Sequence, residues 1–260
     1  MKHIFCGLLS ALLLLGLGAC AQTPGGPGPA ETLPPAVSEG TGQEAAVMRL
    51  KIATVSENSF LGMGVGDRAT PGELYVVPTK DAAYAADTPL APGMVVDVFY
   101  DGLVQETYPA TIAKPARIAL TATEDDLVGF YFGVLKEIYE YDPALNSEID
   151  KLAFDLSETA NLSESEKAAL AYRMGCEYGM ETLSGTYEGL CEQGYIDKEN
   201  LYFPDGLLFQ INQVEQKSET EFTFSLSKWR SGTGAVGMDD CTAERTGNQW
   251  HFTPGGMWIS

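Results

Sequence analysis

The sequence predicts two folded units, a small β-barrel over residues 46–122 and an α+β unit over residues 123–260. Three observations lead there. Residues 46–122 hold short runs that alternate apolar and polar, cut by Gly, Pro and Asp turns. From Thr123 the apolar residues recur at helical spacing behind capping residues. From Leu201 the alternation returns in longer runs, so helices should pack on one face of an antiparallel meander.

The chain ahead of these units reads as an address. Lys2 and the apolar run Ile4 to Leu17 have the form of a secretory signal, too short to span a bilayer comfortably. Leu17-Gly18-Ala19-Cys20 closes it as a lipobox, with residues 1–19 the signal peptide and Cys20 the lipidated residue. Residues 20–45 carry Pro24, Pro27, Pro29, Pro34 and Pro35 among Gly, Ala and Thr. That composition buries too little apolar surface to offset chain entropy. It is expected to act as a disordered tether with a reach of about 28 Å.

In the first unit, Val47 to Ala53 alternates with period two, and Phe60 to Met63 follows the Glu57-Asn58-Ser59 turn. Pro71-Gly72 precedes Glu73 to Val77, and Pro92-Gly93 precedes Met94 to Tyr100. Asp101-Gly102 has the chemistry of a two-residue hairpin loop leading into Leu103 to Thr107. A last strand, about Ala116 to Ala122, closes a small barrel. The string from Gly93 through Tyr100-Asp101-Gly102 to Glu106-Thr107-Tyr108-Pro109-Ala110 resembles the signature of an uncharacterised small barrel domain of Firmicutes secreted proteins and lipoproteins. The resemblance implies an OB-like barrel and a Gram-positive surface setting, and no activity.

In the second unit, Thr123 and Asp126 form a variant capping box before Leu127, Tyr131, Val134, Leu135 and Ile138, and Asp142-Pro143 ends that helix. A second, shorter helix is expected from about Asn146 or Ser147 to Asp155. Ser163 to Glu166 is a full capping box opening a third helix that stops near Gly179. A fourth, from about Thr186 to Gln193, ends at Gly194. Strands follow at Leu207 to Ile211, Glu221 to Trp229, Val236 to Arg245, Trp250 to Phe252 and Met257 to Ile259. In element order alone this unit is similar to the cystatin-like and NTF2-like folds, a likeness that transfers no residues.

Charge and composition narrow the chemistry. Net charge is −20, and residues 123–260 carry nine Lys/Arg against 25 Asp/Glu. Such a surface repels nucleic acid and anionic headgroups, so nucleic acid is not an expected partner and the lipid on Cys20 must hold the protein at the membrane. Cys6 leaves with the signal. Cys176, Cys191 and Cys241 show no metal spacing and read as buried small hydrophobes. The one later histidine, His251, is flanked by Trp250 and Phe252, and alternation turns it to solvent.

Ser225-x-x-Lys228 and Arg230-Ser231-Gly232-Thr233-Gly234 resemble penicillin-binding motifs. Both lie on one predicted strand, where residues three apart face opposite ways, so the resemblance is rejected and Ser231 to Gly234 is a hairpin loop. Glu164 and Glu166 belong to a helix cap. Asp125/Asp126 adds a further acidic pair, while Asp239-Asp240 interrupts a strand as a bulge or a weak cation site.

No catalytic residue, cofactor or metal ligand is assigned. The expected function is a membrane-anchored extracytoplasmic lipoprotein, non-enzymatic, binding an envelope protein or a small ligand. The alternative is an enzyme using carboxylates or tyrosines in an aromatic pocket of the second unit. The anchor is directly testable: Cys20→Ser moves the protein from sedimenting membranes into the soluble fraction, and a mutant that still sediments has its anchor elsewhere.

Overall fold

The structure, a computed structural model, describes residues 46–66 and 69–260. The lipobox, Cys20 and the tether lie outside the described residues. The described chain contains two β-sheets with helices between them, a β-rich α+β architecture.

The first sheet is built from β1 (Ala46–Val55), β2 (Ser59–Gly64), β3 (Leu74–Pro78), β4 (Ala83–Tyr84), β5 (Met94–Tyr100), β6 (Ala110–Thr111) and β7 (Pro115–Thr123). Its order is β4-β7-β5-β1-β2-β3-β6, antiparallel except for β3 with β6 and β4 with β7. Alternation sorts its two faces. Leu50 and Ile52 join Phe60, Val77, Val96, Val98 and Ile118 in a cluster on one face. Ala53, Leu61, Met63 and Leu74 turn the other way, toward the helices.

The expected closed barrel does not form: β4 and β6 end the sheet and do not pair with each other. The hairpin expected after Asp101-Gly102 is also missing. Both edges of β5 are already taken, by β1 and by β7, so Leu103 to Thr107 has no edge to join. Leu103 is 71% exposed, and Gln105 makes only an isolated bridge to Thr111.

Helix α1 (Leu127–Glu140) is capped by Asp126, not Thr123: the Gly129 N–H donates to Asp126 Oδ1 at 2.7 Å. Helix α2 (Glu164–Tyr178) has the complete Ser163–Glu166 capping box and ends on left-handed Gly179, as its local sequence dictates. The stretch expected as a second helix is instead a 3-10 turn at Pro143–Asn146 followed by strand β8 (Lys151–Asp155). Leu152, Ala153 and Phe154 are buried, and a short apolar run buried on both faces carries no period to distinguish strand from helix.

Strand β9 (Glu181–Ser184) follows α2, and helix α3 (Tyr187–Glu192), capped by Thr186, leads to β10 (Gly206–Ser218). Strands β11 (Glu221–Ser231), β12 (Gly234–Thr246), β13 (Gln249–Thr253) and β14 (Gly256–Ile259) complete the second sheet. Its order is β13-β12-β11-β10-β8-β9, with β14 also on β12. The sheet is therefore mixed, since β8 runs parallel to both β9 and β10. Helices α1 and α2 cover one face. On the other, α3 covers a smaller cluster of Ala153, Leu190, Ile196, Phe203 and Leu208.

One apolar cluster unites the helical layer with both sheets, from Ala53 and Leu61 through Tyr131 and Leu135 to Phe209 and Phe224. Polar links run through it. Lys51 Nζ on β1 lies 2.9 Å from Glu166 Oε1, 3.2 Å from Glu124 and 4.0 Å from Asp125. Burial works against that ammonium, but the Glu166 and Glu124 carboxylates outweigh it and hold its pKa above the ordinary lysine value. The Gly72 N–H donates to Ser165 Oγ, and the Arg173 guanidinium donates to the Ala53 carbonyl, each at 3.2 Å.

Lys228 is fully buried on β11 and closes the C-terminal end of α1. Its Nζ donates to the carbonyls of Tyr139, Tyr141 and Asp142 and to Asn146 Oδ1 at 2.5 to 3.1 Å. These are the carbonyls a helix end leaves unpaired, and a cation there suits the helix dipole. Burial pulls the Lys228 pKa down to about 8, against the opposing charge of Asp142.

Lys228→Met keeps the volume and takes its donor from the Tyr141 carbonyl, while the Tyr139 and Asp142 carbonyls keep Asn146 Nδ2 and the Leu145 N–H, so stability should fall by about 1–3 kcal/mol in denaturant unfolding. The parent's stability should also rise between pH 8 and about 10, because folded Lys228 releases its proton before the unfolded chain does. The substitution should remove that rise. An unchanged midpoint and pH slope would contradict this role.

Candidate functional site

The outer face of the second sheet carries its most open arrangement of binding-type side chains. On β11, even-numbered Phe222, Phe224, Leu226 and Lys228 face the helical layer, so Ser225, Ser227 and Trp229 face outward. Pairing then sets a row across five strands: Asp155 on β8 opposite Gln210 on β10, Gln210 opposite Ser227, Ser227 opposite Gly237 on β12, and Gly237 opposite Trp258 on β14. Neighbouring strands lie ~4.8 Å apart, so the row is about 19 Å long.

Each member has a defined place. Asp155 Oδ1 accepts from the Ser157 hydroxyl at 2.6 Å, and Asp155 Oδ2 accepts from the Gln210 amide at 3.3 Å. Ser227 is partly exposed. Gly237 has no side chain because the Trp258 indole occupies that space, and a Cβ there would collide with the ring. Trp258 is still 37% exposed. On one flank Trp229 meets Tyr187 of α3 edge-to-face, with centroids 5.3 Å apart. On the other lie Asn212 and Ser225, whose hydroxyl pairs with Gln213 Oε1 and accepts the Asp240 N–H.

Several grooves also open among the described residues, the first of them sharing Asp155 with the row. One of about 520 Å³ lies at the carboxyl ends of β8 and β9, lined by Asp155, Ser157, Glu164, Lys167, Ser184 and Thr186. That end of parallel strands is where open α/β sheets receive ligands. A second, about 450 Å³, lies between the first sheet and the helices beside Phe132, Tyr172, Arg173 and Cys176. The third, about 610 Å³, is bordered by Met94, Asp126, Phe130, Trp250 and His251. Burial raises the pKa of Asp126, against the Gly129 N–H bond that makes it the α1 cap.

The residues singled out by sequence fall apart in space. His251 is exposed on the face opposite Trp250 and Phe252, both of which pack against the central cluster. Ser225 and Lys228 point to opposite faces of β11, which excludes a serine–lysine pair. Asp239 and Asp240 together oppose Ser225, a β-bulge with Asp240 at φ 53°. Among the described residues no group of three or more His, Cys, Asp or Glu is placed to hold a metal ion.

All three described cysteines are free thiols, but only Cys241 is the buried residue expected. Cys176 is exposed and Cys191 half-buried. Cys176 falls on the groove side of α2, an edge that helical spacing alone did not separate from the core.

No family model, no curated protein and no solved structure matches the chain.

Sequence reasoning missed Gln210, Gly237 and Trp258 as a set. The outward orientation of Gln210 and Gly237 follows the alternation of β10 and β12, whereas the Met257-Trp258-Ile259 run of β14 carries no alternation. Their alignment in one row depends on register, which a single strand does not carry.

Proposed function

We propose that the protein is a lipid-anchored, extracytoplasmic binding module that presents the outer face of its second sheet to a ligand of the cell envelope. The observation that carries this is the open row from Asp155 to Trp258, hydrogen-bonding and aromatic groups preset on a rigid sheet. Two of the strongly shifted ionisable groups are committed to structure. Lys228 and Tyr131 are closed inside the core, where one caps α1 and the other bonds Asn161.

The lipobox at Cys20 and the acidic balance fit a molecule held by lipid rather than by charge. Among the described residues no helix is long and apolar enough to cross a membrane. The OB-like character of the first sheet belongs to the same reading, as a spacer domain of a surface lipoprotein.

The test is sedimentation of protein produced from residue 20 onward, with Cys20→Ser, alongside isolated envelope fragments. Saturable binding with no soluble fragments released is expected. Release of fragments would replace this reading with the enzymatic one, and absence of saturable binding would remove it.

A further inference from the structure

Resting on that binding role, we propose that the row Asp155–Gln210–Ser227–Gly237–Trp258 is a binding site for a neutral oligosaccharide laid across the strands. The argument is one of matched chemistry. A pyranose ring presents an apolar C–H face and a rim of hydroxyls that both donate and accept. Trp258 offers a flat indole, seated on Gly237 and open on its other side, at one end of the row. An aromatic ring fixed in this way loses little entropy when a second flat surface stacks on it.

Along the row, Gln210 and Ser227 supply groups that both donate and accept, and Asp155 supplies acceptor oxygens for a ligand hydroxyl. Ser227 is small, and the Trp258 indole lies over Gly237, so the aromatic surface stands beside the Ser227 and Gln210 groups. The row spans about 19 Å, the length of an extended chain of sugar rings rather than of one small molecule.

Charge selects the ligand class. The row contains no Lys or Arg, while Glu158 and Asp239 stand near its edges. A phosphorylated or carboxylated polymer would find no cation in the row and would face the Asp155 carboxylate. A cationic peptide would find one carboxylate of the row, and that one already accepts from Ser157 and Gln210. A neutral polyol uses every group present.

The chain's three tryptophans make the test specific, because each gives one indole N–H resonance. Trp250 is an internal control: it lies on the other face, its Nε1–H bonded to Asp125 at 3.0 Å. The experiment titrates ¹⁵N-labelled protein, produced from residue 20 onward with Cys20→Ser, with cellohexaose, maltohexaose and N-acetylchitohexaose in turn.

At least one sugar should move the Trp258 and Trp229 signals saturably, leave Trp250 in place and bind equally at low and high salt. Trp258→Ala should weaken that binding on the order of tenfold, and Trp258→Phe less. Cleavage of the bound sugar would uphold the site and overturn the non-enzymatic role. Silence of Trp258 with all three sugars, while envelope fragments still bind, would overturn this inference and leave the binding role standing. Salt-sensitive binding of oligolysine at Trp258 in place of the sugars would overturn it as well.

Discussion

Glu166 is the point on which the arrangement of the two sheets depends. One of its oxygens accepts from the Ser163 N–H and hydroxyl, closing the cap of α2. The other accepts from Lys51, which rises from β1 almost wholly out of solvent. A buried ammonium is tolerated only where carboxylates meet it, so the Glu166 carboxylate is what lets Lys51 lie buried between β1 and α2. The same contact therefore starts a helix and fixes a sheet to it. Gly72 with Ser165 and Arg173 with Ala53 hold the same two layers together at further points.

Fixing the helices between the sheets decides which surfaces remain for function. The inner face of the second sheet is committed to α1, α2 and the aromatic cluster around Phe130, Phe222 and Phe224. Lys228 completes that commitment by closing the end of α1 from β11. The outer face is left with α3 at one end only. Its remaining surface is polar, stiffened by pairing on both sides, and carries the Asp155–Trp258 row. Preorganisation of this kind comes from the sheet itself and needs no lid or hinge.

Local chemistry was legible in the sequence, and pairing was not. The Ser163–Glu166 box, the helix stop at Gly179 and the alternation in β1 and β11 each depend on a few neighbouring residues, and each was read correctly. Leu103 to Thr107 looked like the second arm of a hairpin because Asp101-Gly102 has the right turn chemistry. It fails because β5 spends both edges on β1 and β7, which no local reading reveals. Strands β8 and β9 were missed because strands of five and four residues leave no period to follow, β8 being buried at its centre and β9 at most half-buried. With them went the parallel segment of the second sheet and the groove at its carboxyl ends. In the candidate site, alternation assigns Ser227 its face but gives none to Trp258 in its unbroken apolar run, and their neighbourhood required five strands in register.

Native-state hydrogen exchange tests most directly whether the helical layer binds both sheets into one cooperative structure. Amides of Leu50 to Ala53 on β1 and of the middle of α2 should share one opening free energy and converge on one isotherm as denaturant rises. In Glu166→Gln the β1 amides should separate to a lower value while the second sheet keeps its protection. Exchange of β1 through its own low-energy opening in the parent protein, with α2 still protected, would contradict the account.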